Sequence, residues 1–401
     1  MNNFLSEFAI SIYLFVFSIF FKLFSLISLK DKVTFVVTFE QNSLYVLNEI
    51  YKKSIPVETV FLYKKDSINF QEYPFTRFIR FENYNVINQL KSIYHLATSK
   101  YIFVDNYYGF LSSIKLNDQV MCIQLWHAGG AVKRFGLKDK SIVNRSARSI
   151  KRFQRVYNKF HKVVVGSDEM GKIFKDAFGL KSDNILPTGI PRTDFFFDKN
   201  KKEYIKSKLI THYPVFKEKK VILYAPTYRD NKLNESQIYI DLETMQRHLN
   251  KDYILLLRFH PAVSSNIKLS NQYNGFVYDF SKYPDVNELL LVTDILITDY
   301  SSIPFEFALL NKPMIFFPYD LEEYEEERGF WTEYVKLVPG PIVKTTDEII
   351  RTILNSAFDL QKIEEFSKIW NKYSTGKSSE NIVNYIFEHQ TIQLERKALE
   401  G

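Results

Sequence analysis

Five clusters in this chain place His, Arg, Ser, Thr or Asp directly after an apolar run, where side chains at the end of a buried strand meet ligands. The first is Gln124-Leu125-Trp126-His127-Ala128-Gly129-Gly130. An imidazole followed by small residues is reachable by a substrate and suits proton removal near neutral pH, and the two glycines permit close backbone approach. The competing reading is a capping or core histidine at a turn. The second cluster is Tyr224-Ala225-Pro226-Thr227-Tyr228-Arg229, in which Thr227 and Arg229 can bind phosphate oxygens; its plain alternative is a solvated Arg. In the third, Leu255 to Pro261, the period of two sets Arg258 and His260 on one side of a strand end. The fourth is the most specific: after Ile295-Leu296-Ile297-Thr298 come Asp299, Tyr300 and the Ser301-Ser302 pair, then Pro304 and Glu306. Hydroxyls, free N–H groups and the start of a helix make an anion site, with Glu306 placed for ribose hydroxyls or, equally, as a favourable carboxylate near a helix N-terminus. The fifth, Tyr319-Asp320 with Tyr324 and Arg328-Gly329, is acidic with one Arg.

The elements that must carry these residues alternate β-branched or aromatic runs with amphipathic stretches, which predicts parallel α/β architecture. Predicted strands are 33–39, 57–63, 78–81, 101–104 and 119–125; the run Val163-Val164-Val165-Gly166 then leads into a capped helix from Ser167 or Asp168 and the segment 185–189, and a second series of strands follows at 221–225, 253–258, 275–278, 295–298 and 314–317. A Lys-rich connector between the two series predicts two doubly wound, Rossmann-like halves. The expected division is residues 1–30 as a membrane-associated helix, 31–200 as a first α/β domain and 201–401 as a second, its last helix packing back on the first. A length of 401 residues fits two domains, and 46% apolar with 25% charged residues excludes wholesale disorder. A single Cys122 excludes an internal disulfide and points to a reducing compartment. Walker A, GxGxxG, HExxH, GxSxG and paired Cys are all missing from the sequence, so P-loop, dinucleotide and zinc chemistry have no support. No metal site and no cofactor are expected.

Fifty-three Lys and Arg against 46 Asp and Glu give +7, which favours anionic partners. The charge is local: eleven Lys and Arg stand against Asp139 alone between Ala131 and Lys162. Arg145, Arg148, Arg152, Arg155, Lys159 and Lys162 recur at steps of three and four, predicting one basic helix face backed by Val143, Ala147, Ile150, Phe153, Tyr157 and Phe160. Residues Phe8 to Leu29 are almost wholly apolar, while Glu7, Ser11, Ser18, Lys22 and Ser25 fall in an arc of roughly 60° at about 100° per residue. That stripe reads as a helix lying in the membrane interface, or as one docked on its own protein with a lipid-facing side; a span and a buried core helix are the rivals. With two membrane signals and no nucleic-acid module, anionic lipid is the expected partner of the basic face and nucleic acid is not.

Taken together, Trp126-His127, the turn Gly189-Ile190-Pro191-Arg192-Thr193-Asp194, Tyr224-Ala225-Pro226-Thr227, Arg258-Phe259-His260-Pro261 and Thr298-Asp299-Tyr300-Ser301-Ser302, continuing to Lys312-Pro313 and Arg328-Gly329, resemble the CDP-glycerol:glycerophosphate glycerophosphotransferases of wall teichoic acid synthesis. The resemblance implies a two-domain fold of the glycosyltransferase-B type, monotopic on the cytoplasmic membrane face. It also implies transfer of glycerol phosphate from CDP-glycerol to a polyprenyl-pyrophosphate-linked saccharide, with CMP leaving. His127 and His260 would be catalytic; Arg192, Thr227, Arg229, Arg258, Asp299, Ser301, Ser302 and Glu306 would bind the donor; Arg145, Arg148, Arg152, Arg155 and Lys159 would face membrane or acceptor. Trp126-His127-Ala128-Gly129-Gly130 departs from the family's Trp-His-Gly and looks like the short, single-addition members, so priming or early addition comes first. A polymerase or ribitol-phosphate transferase is the alternative within the family; a nucleotide-sugar glycosyltransferase or a non-catalytic lipid-binding scaffold are the alternatives outside it. A homo-oligomer, or association with other teichoic acid enzymes, stays open.

Overall fold

The computed structural model describes residues 2–64, 70–229, 238–259 and 269–387. The chain divides into two compact units, residues 1–128 with 135–194 and 373–401, and residues 129–134 with 195–372. The second unit thus begins at Phe195 and also takes in the short stretch from Gly129 to Arg134, and the chain from Tyr373 onward belongs to the first. The boundaries therefore differ from a simple cut at residue 200, because packing assigns a segment by its partners rather than by its place in the chain.

The first unit holds a seven-stranded parallel sheet in the order β3-β2-β1-β4-β5-β6-β7. Its strands are β1 (Lys30–Val37), β2 (Glu58–Tyr63), β3 (Thr76–Arg80), β4 (Ser99–Val104), β5 (Met121–Gln124), β6 (Lys162–Val164) and β7 (Ile185–Leu186). The central strands are covered on both faces, so they read as continuous apolar runs: Val33, Phe35, Val36, Phe61, Phe103 and Ile123 are fully buried. Phe35 packs against Phe61 and Phe103 at 5.5 and 4.9 Å between ring centroids. Helical residues 378–387 close this core with Ile382, Val383 and Ile386. Asp194 caps that helix, accepting from the backbone N–H groups of Ser378 and Ser379 at 2.8 and 2.9 Å.

The second unit holds a five-stranded parallel sheet, β10-β9-β8-β11-β12, formed by β8 (Lys220–Ala225), β9 (Tyr253–Leu257), β10 (Val277–Asp279), β11 (Ile295–Thr298) and β12 (Met314–Phe316). Both sheets start in the middle, run outward three strands, and then return to add strands on the other side. Each therefore has one topological switch point, between β1 and β4 and between β8 and β11, where the loops beyond the carboxyl ends separate and ligands enter.

Helix α1 (Asn2–Phe24) docks on the first unit through buried Phe17 and Phe21, with Phe17 stacked on Phe110 at 5.0 Å. Its Glu7–Phe24 stretch is long and apolar enough to cross a membrane. Its free face, however, is a stripe of Phe8, Ile12, Phe15, Ile19 and Leu23, each about half exposed or more. The basic helix is shorter than its sequence period predicts: α4 spans Ala147–Tyr157. Ser146 caps it, accepting from Ser149 N–H at 3.1 Å, which leaves Arg145 in the preceding extended residue. Asn158 ends it, so Lys159 lies beyond it and Lys162 opens β6. The 84% exposed Val143 also sits outside the helix, in a short 3-10 turn.

Candidate functional site

In the first unit the switch point is built around a carboxylate that the sequence reading passed over. Asp105, the residue after β4, is fully buried and accepts from Thr38 N–H, from Phe39 N–H at 2.6 Å and from the Tyr108 hydroxyl at 2.7 Å. It ties the end of β4 to the residues following β1. Burial pushes its carboxyl up to about 6, against the pull of those three donors. The backbone carbonyl of the same residue lies 3.1 Å from His127 Nδ1. A carbonyl only accepts, so Nδ1 carries the proton and Nε2 presents a lone pair.

The imidazole is fixed in orientation as well as tautomer. Phe39 stacks on it at 4.3 Å and Trp126 at 4.4 Å. Burial between these rings, with the charge of Arg192 adding to it, lowers its pKa to about 4, so the ring is neutral at pH 7. Trp126 itself takes a left-handed backbone conformation (φ 57°) that turns the chain sharply at the end of β5. That strain is held from three directions. Trp126 N–H donates to Gln124 Oε1 at 2.9 Å, Asn42 Nδ2 donates to Trp126 O at 2.9 Å, and the indole stacks on Phe135 at 4.9 Å. Asn42 also accepts from Arg192 N–H at 3.0 Å, so one side chain registers the His127 turn against the Pro191-Arg192 turn.

The second unit repeats the device. Asp299, the residue after β11, is 2% exposed and accepts from Thr227 N–H at 2.7 Å and from Tyr300 N–H at 2.6 Å, tying the end of β11 to the residues after β8. Two arginines expected to bind the donor are engaged within the protein. Arg229 pairs with Asp320 at 2.7 Å and Asp299 at 3.1 Å, and lies over the rings of Tyr300, Tyr319 and Tyr324. Arg258 likewise spends Nη1 on the carbonyls of Phe280, Ser281 and Tyr283, which fastens the loop after β10. Both are strand-end arginines, and a strand end offers backbone carbonyls and carboxylates as readily as ligands.

Of the other expected donor-binding groups, Thr227 Oγ1 is buried with no hydrogen-bond partner among the described residues. Ser301 Oγ lies 2.9 Å from Thr298 Oγ1 and accepts from Ile303 N–H at 3.3 Å. Ser302 precedes a helix of five residues, Ile303–Phe307, and makes no side-chain cap; so short a helix carries little macrodipole, and the expected charge contribution from its N-terminus is correspondingly small. Glu306 on that helix is buried, and its Oε1 accepts from Gly129 N–H at 3.2 Å. The close approach allowed by Gly129-Gly130 is thus used within the protein: a Cβ on Gly130 would stand 2.3 Å from the Phe305 ring. His260 lies outside the described residues.

On α4 the basic side chains divide. Arg152 forms a two-pronged pair with Glu7 of α1 at 2.9 and 3.0 Å, which holds that carboxylate below its usual range. Arg145 lies over the Phe153 ring at 5.0 Å. Arg148, Lys151 and Arg155 are exposed and make neither hydrogen bond nor ion pair among the described residues. Lys159 is half-buried past the helix end, and burial lowers its pKa.

The profile of the family described as CDP-Glycerol:Poly(glycerophosphate) glycerophosphotransferase matches residues 19–388. A teichoic acid glycerol-phosphate primase of Bacillus subtilis (strain 168) is 37% identical over 358 residues, 89% of this chain and 92% of the primase. A teichoic acid poly(ribitol-phosphate) polymerase of Bacillus spizizenii is 41% identical over 304 residues, 75% of this chain and 48% of that protein. Among solved structures, the wall teichoic acid polymerase TagF soaked with CDPG superposes with a TM-score of 0.78 at 26% identity, covering 91% of this chain and 90% of that one.

Proposed function

We propose a mechanism on the premise that the chain belongs to the CDP-glycerol:poly(glycerophosphate) glycerophosphotransferase family and is a transferase of wall teichoic acid synthesis. In this reading it transfers glycerol phosphate from CDP-glycerol to a lipid-linked saccharide, as the priming or an early addition. The likeness to a primase over 89% of this chain and 92% of the primase supports the single-addition reading.

The observation that carries the mechanism is the fixed imidazole of His127, with Nδ1–H on the Asp105 carbonyl and no hydrogen bond to Nε2 among the described residues. An acceptor hydroxyl attacks the β-phosphorus of CDP-glycerol. The new O–P bond forms as the bond to the CMP oxygen breaks, the hydroxyl proton passes to Nε2, and CMP leaves with the bonding pair. The proton then returns to solvent. Thr227, Ser301 and Ser302 hold the diphosphate, Arg192 adds positive charge beside the imidazole, and Glu306 takes the ribose. Asp299 positions Thr227 and Tyr300, and His260 is a second catalytic histidine. No step runs through a metal or cofactor. The protein works at the cytoplasmic membrane face, held there by α1, in a two-domain fold of the glycosyltransferase-B type.

Replacing His127 by Ala is expected to abolish CMP release while CDP-glycerol still binds; unchanged turnover would remove the residue from the mechanism. Mass spectrometry of a defined lipid-linked acceptor after reaction with CDP-glycerol separates the two family readings: one added unit supports a primase, and a ladder of products would make the chain a polymerase. CDP-ribitol in place of CDP-glycerol tests the donor in the same assay.

A further inference from the structure

Between α1 and α4 of the first unit runs a groove of about 600 Å³. One wall is Arg148, Lys151 and Arg155 of α4, the other is Leu14, Phe15 and the two serines of the α1 polar stripe, and the floor is Ser112-Ser113. The four serine hydroxyls each give their proton to a backbone carbonyl three or four residues back, at 2.7 to 2.8 Å. They make the walls polar without supplying a donor. The cations of α4 therefore face a polar trough; the nearby carboxylate of Glu7 is ion-paired with Arg152 and only attracts Arg148 from a distance, and Arg148, Lys151 and Arg155 form no ion pair among the described residues.

Two further features constrain what fits. The apolar stripe of α1 adjoins the groove, and Phe15, 65% exposed, belongs to both. The floor belongs to the segment that begins at Asp105, whose carbonyl orients His127; Tyr107 of that segment packs on Phe153 of α4 at 4.9 Å. One short stretch of chain thus carries the orienting carbonyl at one end and the groove floor at the other.

We infer that this groove binds the phosphate head of the lipid-linked acceptor, its apolar tail lying along the exposed stripe of α1. Three unpaired cations match a dianionic mono- or diphosphate ester, and the adjoining apolar stripe selects an amphiphile over a free anion. The inference rests on the transferase reading above for calling the ligand an acceptor, though not for the binding itself.

The full chain in nonionic detergent is titrated calorimetrically with farnesyl diphosphate, inorganic pyrophosphate and dihexanoyl phosphatidylglycerol. Farnesyl diphosphate is expected to bind about tenfold or more tighter than pyrophosphate, and Arg148→Gln/Arg155→Gln to weaken it by about tenfold or more. In turnover the same variant raises KM for the lipid-linked acceptor by a similar factor and leaves KM for CDP-glycerol unchanged. Ser113→Phe, which fills the floor without touching charge, is expected to do the same with an unaltered melting temperature. Farnesyl diphosphate affinity and acceptor KM that both ignore these substitutions overturn the proposal. So does phosphatidylglycerol binding as tightly as farnesyl diphosphate with equal sensitivity to the variant, which assigns the groove to bilayer headgroups. Binding that behaves as expected in a protein that transfers nothing from CDP-glycerol leaves the groove standing and overturns the transferase reading instead.

Discussion

At the scale of single residues, His127 and Asp105 form a pair whose environments move them toward each other on the pH scale. The imidazole is lowered to about 4 and the carboxyl raised to about 6. For catalysis the first shift keeps the base unprotonated, and the second puts a proton on Asp105 below about pH 6, opposing the N–H groups of Thr38 and Phe39 that it must accept. Turnover is therefore expected to fall as pH drops through 6, before His127 itself is charged. Asp105→Asn, which keeps the backbone carbonyl, should lower kcat with little change in KM for CDP-glycerol and should remove that limb; a kcat profile unchanged in both height and shape would deny Asp105 a positioning role. For stability the signs oppose. A depressed imidazole contributes stability above its unfolded value near 6.5 that is lost as pH falls through about 4; a raised carboxyl contributes stability below its unfolded value near 4 that is lost as pH rises through about 6. Each shift is worth up to about 3 kcal/mol and the two largely cancel between pH 4 and 6.5. Single substitutions unmask the partner: relative to wild type, His127→Asn should lose denaturant stability as pH rises from 4 to 6, and Asp105→Asn should lose it as pH falls over the same range. Parallel curves for all three proteins would show that the two groups do not titrate as their surroundings dictate.

At the scale of elements, the two sheets use the same fastening. An aspartate just past the strand on the far side of the switch point reaches back to the N–H groups beyond the first strand of the unit, Asp105 from β4 to β1 and Asp299 from β11 to β8. The fold was legible in the sequence because a parallel sheet buried on both faces spells each strand as an apolar run: ten of the twelve strands among the described residues lie within a few residues of predicted ones, and β6 and β7 add two short strands that were not predicted. The His127 turn was legible for a related reason, since a histidine has little cause to end such a run. Asp105 carried the same mark as Asp299, an acid after an apolar strand, but Asn106-Tyr107 lacks the Ser-Ser pair that drew attention to the second site. What spacing could not reveal was the partner of each polar group. The period of three and four over-extended α4 because it continues through Lys159, while the Ser146 and Asn158 caps end the helix. Arg229 followed a strand as a phosphate ligand would, yet Asp320, ninety-one residues later, occupies it. That pairing sets an expectation for the element: Arg229→Ala leaves two carboxylates buried without their cation and should cost about 3–5 kcal/mol. The loss appears as a lowered melting temperature of the whole chain, whereas a stable variant with only a raised KM for CDP-glycerol would return Arg229 to the donor. Gly130→Ala tests the same packing from the other side. Phe305 is wedged by Phe366 and Trp370, so the added methyl should cost about 1–3 kcal/mol without any substrate present.

At the scale of the whole molecule, the question is what a net charge of +7 and a half-exposed apolar helix accomplish together. Neither suffices alone: a cluster of cations holds an anionic surface only while salt is low, and a single apolar element gives reversible attachment. The helix is not simply amphipathic. Its polar stripe is turned into the groove facing α4, its buried stripe rests on Phe110, and the third face, Phe8 to Leu23, is the one left to the surroundings. That arrangement predicts two separable components of membrane attachment. Wild-type protein sedimented with phosphatidylglycerol vesicles should remain partly bound when salt is raised from about 0.05 to about 0.5 M, because apolar contact is not screened. Phe8→Ser/Phe15→Ser/Ile19→Ser removes that contact from side chains already half out of water; at roughly 1 kcal/mol or more each, vesicle affinity should fall by about a hundredfold. What binding remains in this triple variant should then vanish with salt, as pure electrostatic attachment must. These three residues make no part of the core, so the melting temperature should hold. A triple variant that sediments like wild type at every salt concentration would place the attachment elsewhere in the chain and leave the exposed stripe of α1 without the role its composition and placement give it.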